Sequence, residues 1–155
     1  MKLGLDQSYT CTGVCIADDT GAIRHFGTFT TDSTKDVFDR SVQLAEFVVS
    51  LINTWNIASV HIEGLAFGMR GSATRDLAGL QFAVINAIRQ HSKSVEVKII
   101  APTSLKKFAT GTGKSTKADM ISAVPDHILT MFSAKHKKTK GLADVVDAFW
   151  LATHP

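Results

Sequence analysis

Four carboxylates stand where a charge is costly. Asp6 closes the apolar run Leu3-Gly4-Leu5, Glu63 closes Val60-His61-Ile62, and Asp144 and Asp147 bracket Val145-Val146. An acid on an apolar element is unfavourable unless it is paired or bound to a cation. Asp144 and Asp147 are three residues apart, a spacing that puts both on one face of a helix. The sites are spread over the whole chain, so one tertiary cluster is expected. Its donors are hard oxygens, which suit Mg²⁺ or Mn²⁺ rather than zinc. The reading is that Asp6, Glu63, Asp144 and Asp147 together bind divalent metal.

The charge of the whole chain is only +3, but it is unevenly placed. From Lys93 to Lys140 ten lysines face only Glu96, Asp119 and Asp126, about +7, and the rest of the chain carries about −4. A basic segment beside an acidic cluster fits a nuclease, with lysines on the phosphate backbone and acids on metal. The same lysines also read as a solvated face. At 155 residues, 45% apolar and 20% charged, the chain is expected to form one domain, 1–155, with a real core. No apolar run reaches the roughly 20 residues of a membrane span. Met1-Lys2-Leu3 runs straight into a strand, so no signal peptide is expected. Cys11 and Cys15 would lie roughly 13 Å apart on a regular strand, too far for a disulfide. Buried thiols in a cytoplasmic protein are the simpler reading.

The elements that must position the acids follow from periodicity. Residues 2–6, 12–17 and 23–30 read as strands joined by short connections, an antiparallel meander. Ser33 or Thr34 is expected to cap a long helix ending near Asn53, with Val37, Leu44, Val48 and Leu51 toward the sheet. Residues 59–63 form a fourth strand. The helical crossover before it allows it to lie parallel to the first, so that Asp6 and Glu63 emerge at the same edge. A loop from Gly64 to Ser72 carries Phe67 and Arg70. The next helix, capped by Ser72 and ending near Gln90, has one apolar stripe at Leu77, Leu80, Val84 and Ile88. It has a second at Ala78, Phe82 and Ile85, which is assigned to a partner surface. A fifth strand spans 95–100. Gly111-Thr112-Gly113-Lys114-Ser115 is not a phosphate-binding P-loop, because Phe108 stands where glycine is required. Thr116 and Asp119 make a capping pair before a short helix ended by Pro125. Residues 135–140 form a basic loop, and a last helix runs from near Gly141 to His154.

This order of elements, with acids on strand one, strand four and the last helix, resembles the ribonuclease H-like fold. Within it the motifs resemble the RuvC family of Holliday junction resolvases. Leu3-Gly4-Leu5-Asp6 with Thr12-Gly13 resembles the family's first motif, with Gln7 where a proline is common. Ile62-Glu63 resembles the second. Gly111-Thr112-Gly113, flanked by Lys106 and Lys117, resembles its basic segment, and Asp144-x-x-Asp147-Ala148 its C-terminal motif. Asp6-Gln7-Ser8 is closer to the bacteriophage branch. The resemblance implies a five-stranded mixed sheet and two Mg²⁺ ions, with Mn²⁺ able to substitute. One ion would activate water and the other stabilise the leaving 3′ oxygen. It also implies a homodimer on branched DNA, paired cuts leaving 5′-phosphate and 3′-hydroxyl ends, no nucleotide cofactor, and a cytoplasmic setting in a bacterium or a phage-infected cell. Phe67 takes the place of the family's wedge aromatic, one residue late, and Arg70, Lys106, Lys114 and Lys117 complete the expected DNA contacts. Two other readings stand beside this one. The first is a different ribonuclease H-like nuclease acting on branched DNA or an RNA–DNA hybrid, and the second a non-catalytic branched-DNA binding module.

Overall fold

The computed structural model describes residues 1–65, 71–136 and 140–155. Phe67 and Arg70 lie outside the described residues, as do 137–139 of the basic loop. Eleven elements are described: β1 (Lys2–Asp6), β2 (Thr12–Ala17), β3 (Ile23–Phe29), α1 (Val37–Trp55), β4 (Ser59–Glu63), α2 (Ser72–His91), β5 (Glu96–Ile100), α3 (Pro102–Thr110), α4 (Lys117–Ser122), α5 (Asp126–Lys135) and α6 (Lys140–Thr153). The strands form one mixed sheet in the order β3-β2-β1-β4-β5. The β1–β2 and β2–β3 pairs are antiparallel, whereas β1–β4 and β4–β5 are parallel. Among the described helices none is long and apolar enough to cross a membrane.

Strand alternation sends side chains to two different cores. Leu3, Leu5, Val14, Ile16, Val60 and Ile62 pack with Leu44, Val48, Leu80, Val84 and Ile88 of α1 and α2. On the other face Cys15 and Ala17 pack with Val145, Val146 and Phe149 of α6, Leu105 of α3, Met120 of α4 and Phe132 of α5. Lys2, Gly4 and Asp6 share this second face of β1. The helix α6 runs antiparallel to β1: the Lys2 ammonium donates to the His154 carbonyl at 2.9 Å, and His61 Nδ1 meets the Leu151 carbonyl at 2.9 Å. The Cβ of an alanine at position 4 would lie 2.0 Å from the Ala148 carbonyl oxygen, and one at position 13 would lie 2.0 Å from that of Asp144. Only glycine at these two points lets the α6 backbone rest directly on the sheet.

Several local expectations are corrected. Asp36, not Ser33 or Thr34, caps α1, accepting from the Phe38 and Asp39 amides at 2.9 Å each. Thr34 is taken instead by the Asp32 carboxylate, which binds both its amide and its hydroxyl, so the chain turns once more before the helix starts. Ser72 is the first residue of α2 rather than its cap, and Gly71 precedes it without a capping side chain. Val37 is only half-buried. Two helices were not expected: α3, with Pro102 in its first turn, and α5, which follows Pro125. Pro125 reads as a stop for the helix before it, yet proline also suits the start of a helix, as Pro102 does in the first turn of α3. The Thr116–Asp119 capping box is present as expected. Cys15 is buried and Cys11 half-buried.

The glycine contacts give the first prediction. Gly13→Ala forces a methyl group against the Asp144 backbone and should destabilise by at least about 1–3 kcal/mol. Gly79→Ala, in the interior of α2 where an added Cβ meets nothing within 4 Å, should stabilise by about 0.5–1 kcal/mol. Thermal denaturation of both variants beside the wild type checks the contrast. An unchanged melting temperature for Gly13→Ala would refute the close approach.

Candidate active site

The parallel register sets Leu5 beside Ile62, so the next residues, Asp6 and Glu63, leave the sheet side by side at the carboxyl ends of β1 and β4. Asp6 is paired across β2 with Gly13, and Gly13 is where the Asp144 carbonyl sits on the sheet. One constraint therefore brings the acids of α6 to the acid of β1. Asp6, Glu63 and Asp147 line a single cleft of about 320 Å³ together with Gln7, Lys106 and Lys117. Asp144 is not part of that lining but acts electrostatically on Asp6 and Asp147. Its Oδ2 is buried without a hydrogen-bond partner.

The lysines arrive on elements that periodicity alone did not reveal as a unit. Lys106 is on α3 and Lys117 opens α4. Both helices are fastened to α6 through Trp150: its indole N–H donates to the Met120 carbonyl at 3.1 Å, and Phe108 meets its ring edge-on at 6.0 Å. Gly111, in the left-handed region at φ 83°, ends α3 by donating to the Lys107 carbonyl. Gly113 packs on Thr103 at the start of the same helix. The Gly-x-Gly segment is thus a helix stop folded back on its own helix, which orients Lys106 and Lys117. Lys117 Nζ lies 3.8 Å from Asp147 Oδ2. Lys114 is exposed and does not line the cleft.

Burial raises the Asp6 carboxyl well above its ordinary range, and Glu63, Asp147 and Asp144 raise it further against a smaller opposing effect of Lys117. Burial, then Asp147, pushes Glu63 to about 7, with Lys117 and Lys106 opposing. Burial lifts Asp147 to about 6; Lys117 opposes it most strongly, and Asp144 adds to the rise. Among the described residues no three Asp, Glu, His or Cys side chains converge closely enough to hold an ion as they stand. The donor set nevertheless fits a hard divalent cation. It consists of carboxylate oxygens, one of them orphaned, in a pocket whose negative charge two lysines only partly offset.

A family model described as crossover junction endodeoxyribonuclease RuvC matches residues 2–154. The chain belongs to the RuvC family. A RuvC from Dictyoglomus thermophilum is 29% identical over 152 residues, covering 96% of this chain and 91% of that one. The fold is similar to a Thermus thermophilus RuvC structure, at TM-score 0.69 and 18% identity, covering 97% of this chain and 90% of that one. It is likewise similar to T. thermophilus RuvC in complex with Holliday junction substrate, at TM-score 0.70 and 14% identity, covering 97% and 88%. The ribonuclease H-like architecture expected from the order of elements is the one found. As a RuvC-family crossover junction endodeoxyribonuclease the chain is a hydrolase, and membership implies dependence on a divalent metal.

The motifs single out Gln7 as a departure from proline and as part of the Asp6-Gln7-Ser8 start, and give it no role in the site. The side chain is 8% exposed and lines the cleft, and neither amide atom has a hydrogen-bond partner among the described residues. Its only sequence signal was its place directly after Asp6.

The raised carboxyls make the metal-free protein sensitive to pH. The folded chain holds protons on Glu63 and Asp147 that the unfolded chain has already released. This contribution is complete below the ordinary carboxylate range and is lost as pH rises through about 6 and 7. For Glu63 alone it is on the order of 3 kcal/mol. In EDTA the melting temperature should fall from pH 5 to pH 8, and Glu63→Gln should flatten that slope. A wild-type protein equally stable at both pH values would contradict the burial of these acids.

Proposed function

We propose that this RuvC-family enzyme resolves four-way DNA junctions by metal-dependent hydrolysis in the cleft at the carboxyl ends of β1 and β4. Asp6, Glu63, Asp144 and Asp147 are its metal ligands. The observation that carries the reading is the convergence of acids from three separate elements on one lysine-flanked cleft. Asp6 would take the central position, since it is the acid on which all three others act. Two Mg²⁺ ions, with Mn²⁺ as substitute, are the cations proposed; when bound they make water a better nucleophile at neutral pH and neutralise charge on the leaving 3′ oxygen. Lys106 and Lys117 hold the phosphodiester against repulsion from the acids and stabilise charge that develops on it. Products carry 5′-phosphate and 3′-hydroxyl ends. Lys114, Phe67 and Arg70 are proposed as further contacts to branched DNA, and the setting as the cytoplasm of a bacterium or phage-infected cell.

A four-way junction has two equivalent strands to cut, which suits a two-fold homodimer. Phe82 on α2 is 66% exposed, and Phe38 on α1 is 79% exposed. Phe38 and Val42 of α1 share a groove with Gly79 and Ala83 of α2. These exposed apolar side chains support α2 as part of the dimer surface. Ala78 and Ile85 are half-buried, and Ile85 packs against the core, so Phe82 carries more of this proposal than the other two.

Two experiments follow. Asp6→Asn, Glu63→Gln, Asp144→Asn and Asp147→Asn should each abolish Mg²⁺-dependent cutting of a synthetic junction while gel-shift affinity stays within a few-fold, because phosphate contacts supply most of the affinity. Near-normal cutting by any of the four removes that residue from the metal site. Phe82→Asp should yield folded monomers in sedimentation that nick junctions without paired cuts. A wild-type protein that is monomeric with and without junction DNA would exclude the dimer.

A further inference from the structure

The acids and the lysines occupy one side of the cleft, whereas the opposite wall has a different character. Asp6 ends β1 on the α6 face, and the next residue, Gln7, lines the cleft together with Thr74 and Leu77 of α2. There the wall is made by Gln7, Leu65, Thr74 and Leu77. Among the described residues no lysine or arginine lines it. Apolar side chains around a neutral amide are poorly matched to a phosphate, which the lysines across the cleft already serve. They suit a flat, largely apolar group with hydrogen-bonding atoms on its edge.

The amide of Gln7 carries a donor and an acceptor, and both are unused. A buried amide normally has partners for both. The residue is more than nine-tenths buried, and both amide atoms are out of contact with solvent. A rotation about the side-chain torsions is therefore needed before they meet a partner. Such a rotation sacrifices no hydrogen bond, because none is made. A nonbridging phosphate oxygen would satisfy only the donor. An adenine edge, with N6–H and N7 side by side, satisfies both atoms at once.

We infer that Gln7 is a specificity-determining residue: with Leu65, Thr74 and Leu77 it forms a nucleobase subsite that accepts adenine on one side of the scissile phosphate. The assignment rests on the junction-cleaving reading above and deepens it. The lysine side would hold the backbone and the Gln7 side would read one base, so the two walls divide positioning from discrimination.

The test uses the full-length protein and a panel of four-way junctions that differ only in the base flanking each side of the cut, assayed under single turnover with Mg²⁺. Wild type should cut the adenine junction on the order of tenfold faster than the others at one flanking position. Gln7→Met, close in shape and without the amide, should bring the four rates together while retaining cutting. Gln7→Leu provides a second variant, and melting temperatures identify folded protein before rates are compared. A wild-type protein that cuts every flanking base equally overturns the subsite. So does a folded variant that keeps the adenine preference, or one that slows all four junctions by the same factor, which would assign the amide to phosphate or metal instead. Failure of wild type to cut any junction while binding Mg²⁺ would refute the junction-cleaving reading itself, an outcome distinct from these.

Discussion

The seating of α6 on the first two strands is the contact on which the site depends. An α-helix ordinarily packs on a sheet through side chains, at a distance that would hold Asp144 and Asp147 away from the strand ends. Gly4 and Gly13 remove that spacing, and the helix backbone rests where two Cβ atoms would otherwise be. Gly13 is also the cross-strand partner of Asp6. The closest approach of the helix is thus beside the acid it must meet. Lys2 and His61 hold the far end of the helix by hydrogen bonds to its last carbonyls, so its direction is set as well as its distance.

The result is a cluster of acids that the protein alone does not neutralise. Burial is the largest influence on Asp6, Glu63 and Asp147; repulsion between the acids comes next for Asp6 and Glu63, and the opposing Lys117 comes next for Asp147. Lys117 and Lys106 oppose both effects without cancelling them, and Lys117 remains largely exposed. An arrangement serving stability alone would pair such acids fully or leave them in solvent. Partial compensation instead leaves negative charge in the cleft, which fits the divalent cation proposed there. The lysines are carried on short helices tied to α6 by Trp150, so both charges of the site share one anchor.

The topology places this chemistry at one edge of the molecule. The parallel β1–β4 pair directs two strand ends the same way, and the crossover helix α1 lies on the face opposite α6. The acid-bearing helix α6 and the exposed apolar side chains of α1 and α2 therefore belong to different layers. In a two-fold assembly built on α2, each copy would keep its own complete set of acids.

Residues Leu3–Asp6 and Val60–Glu63 were legible as strands ending in acids because their apolar character is local and breaks at the acid. Spacing alone set Asp144 and Asp147 on one helical face, and the reciprocal bonds of Thr116 and Asp119 were legible because they span three residues. The helix α3 was not. Pro102 marks its start, but the burial of Leu105 against α6 is what makes the helix worthwhile, and that contact is long-range. The same holds for α5 and Phe132. The unpaired amide of Gln7 had no sequence signature, since an amide is orphaned only by what fails to surround it. The Asx turn of Asp32 moved the start of α1 by competing for Thr34, a choice between two local bonds of similar strength. The sequence by itself determined which side chains are acids, on which elements they lie and with what spacing. Only the tertiary structure decided that they share one cleft, because their convergence depends on helix and strand backbones touching at Gly4 and Gly13, residues distant in the chain from the acids of α6.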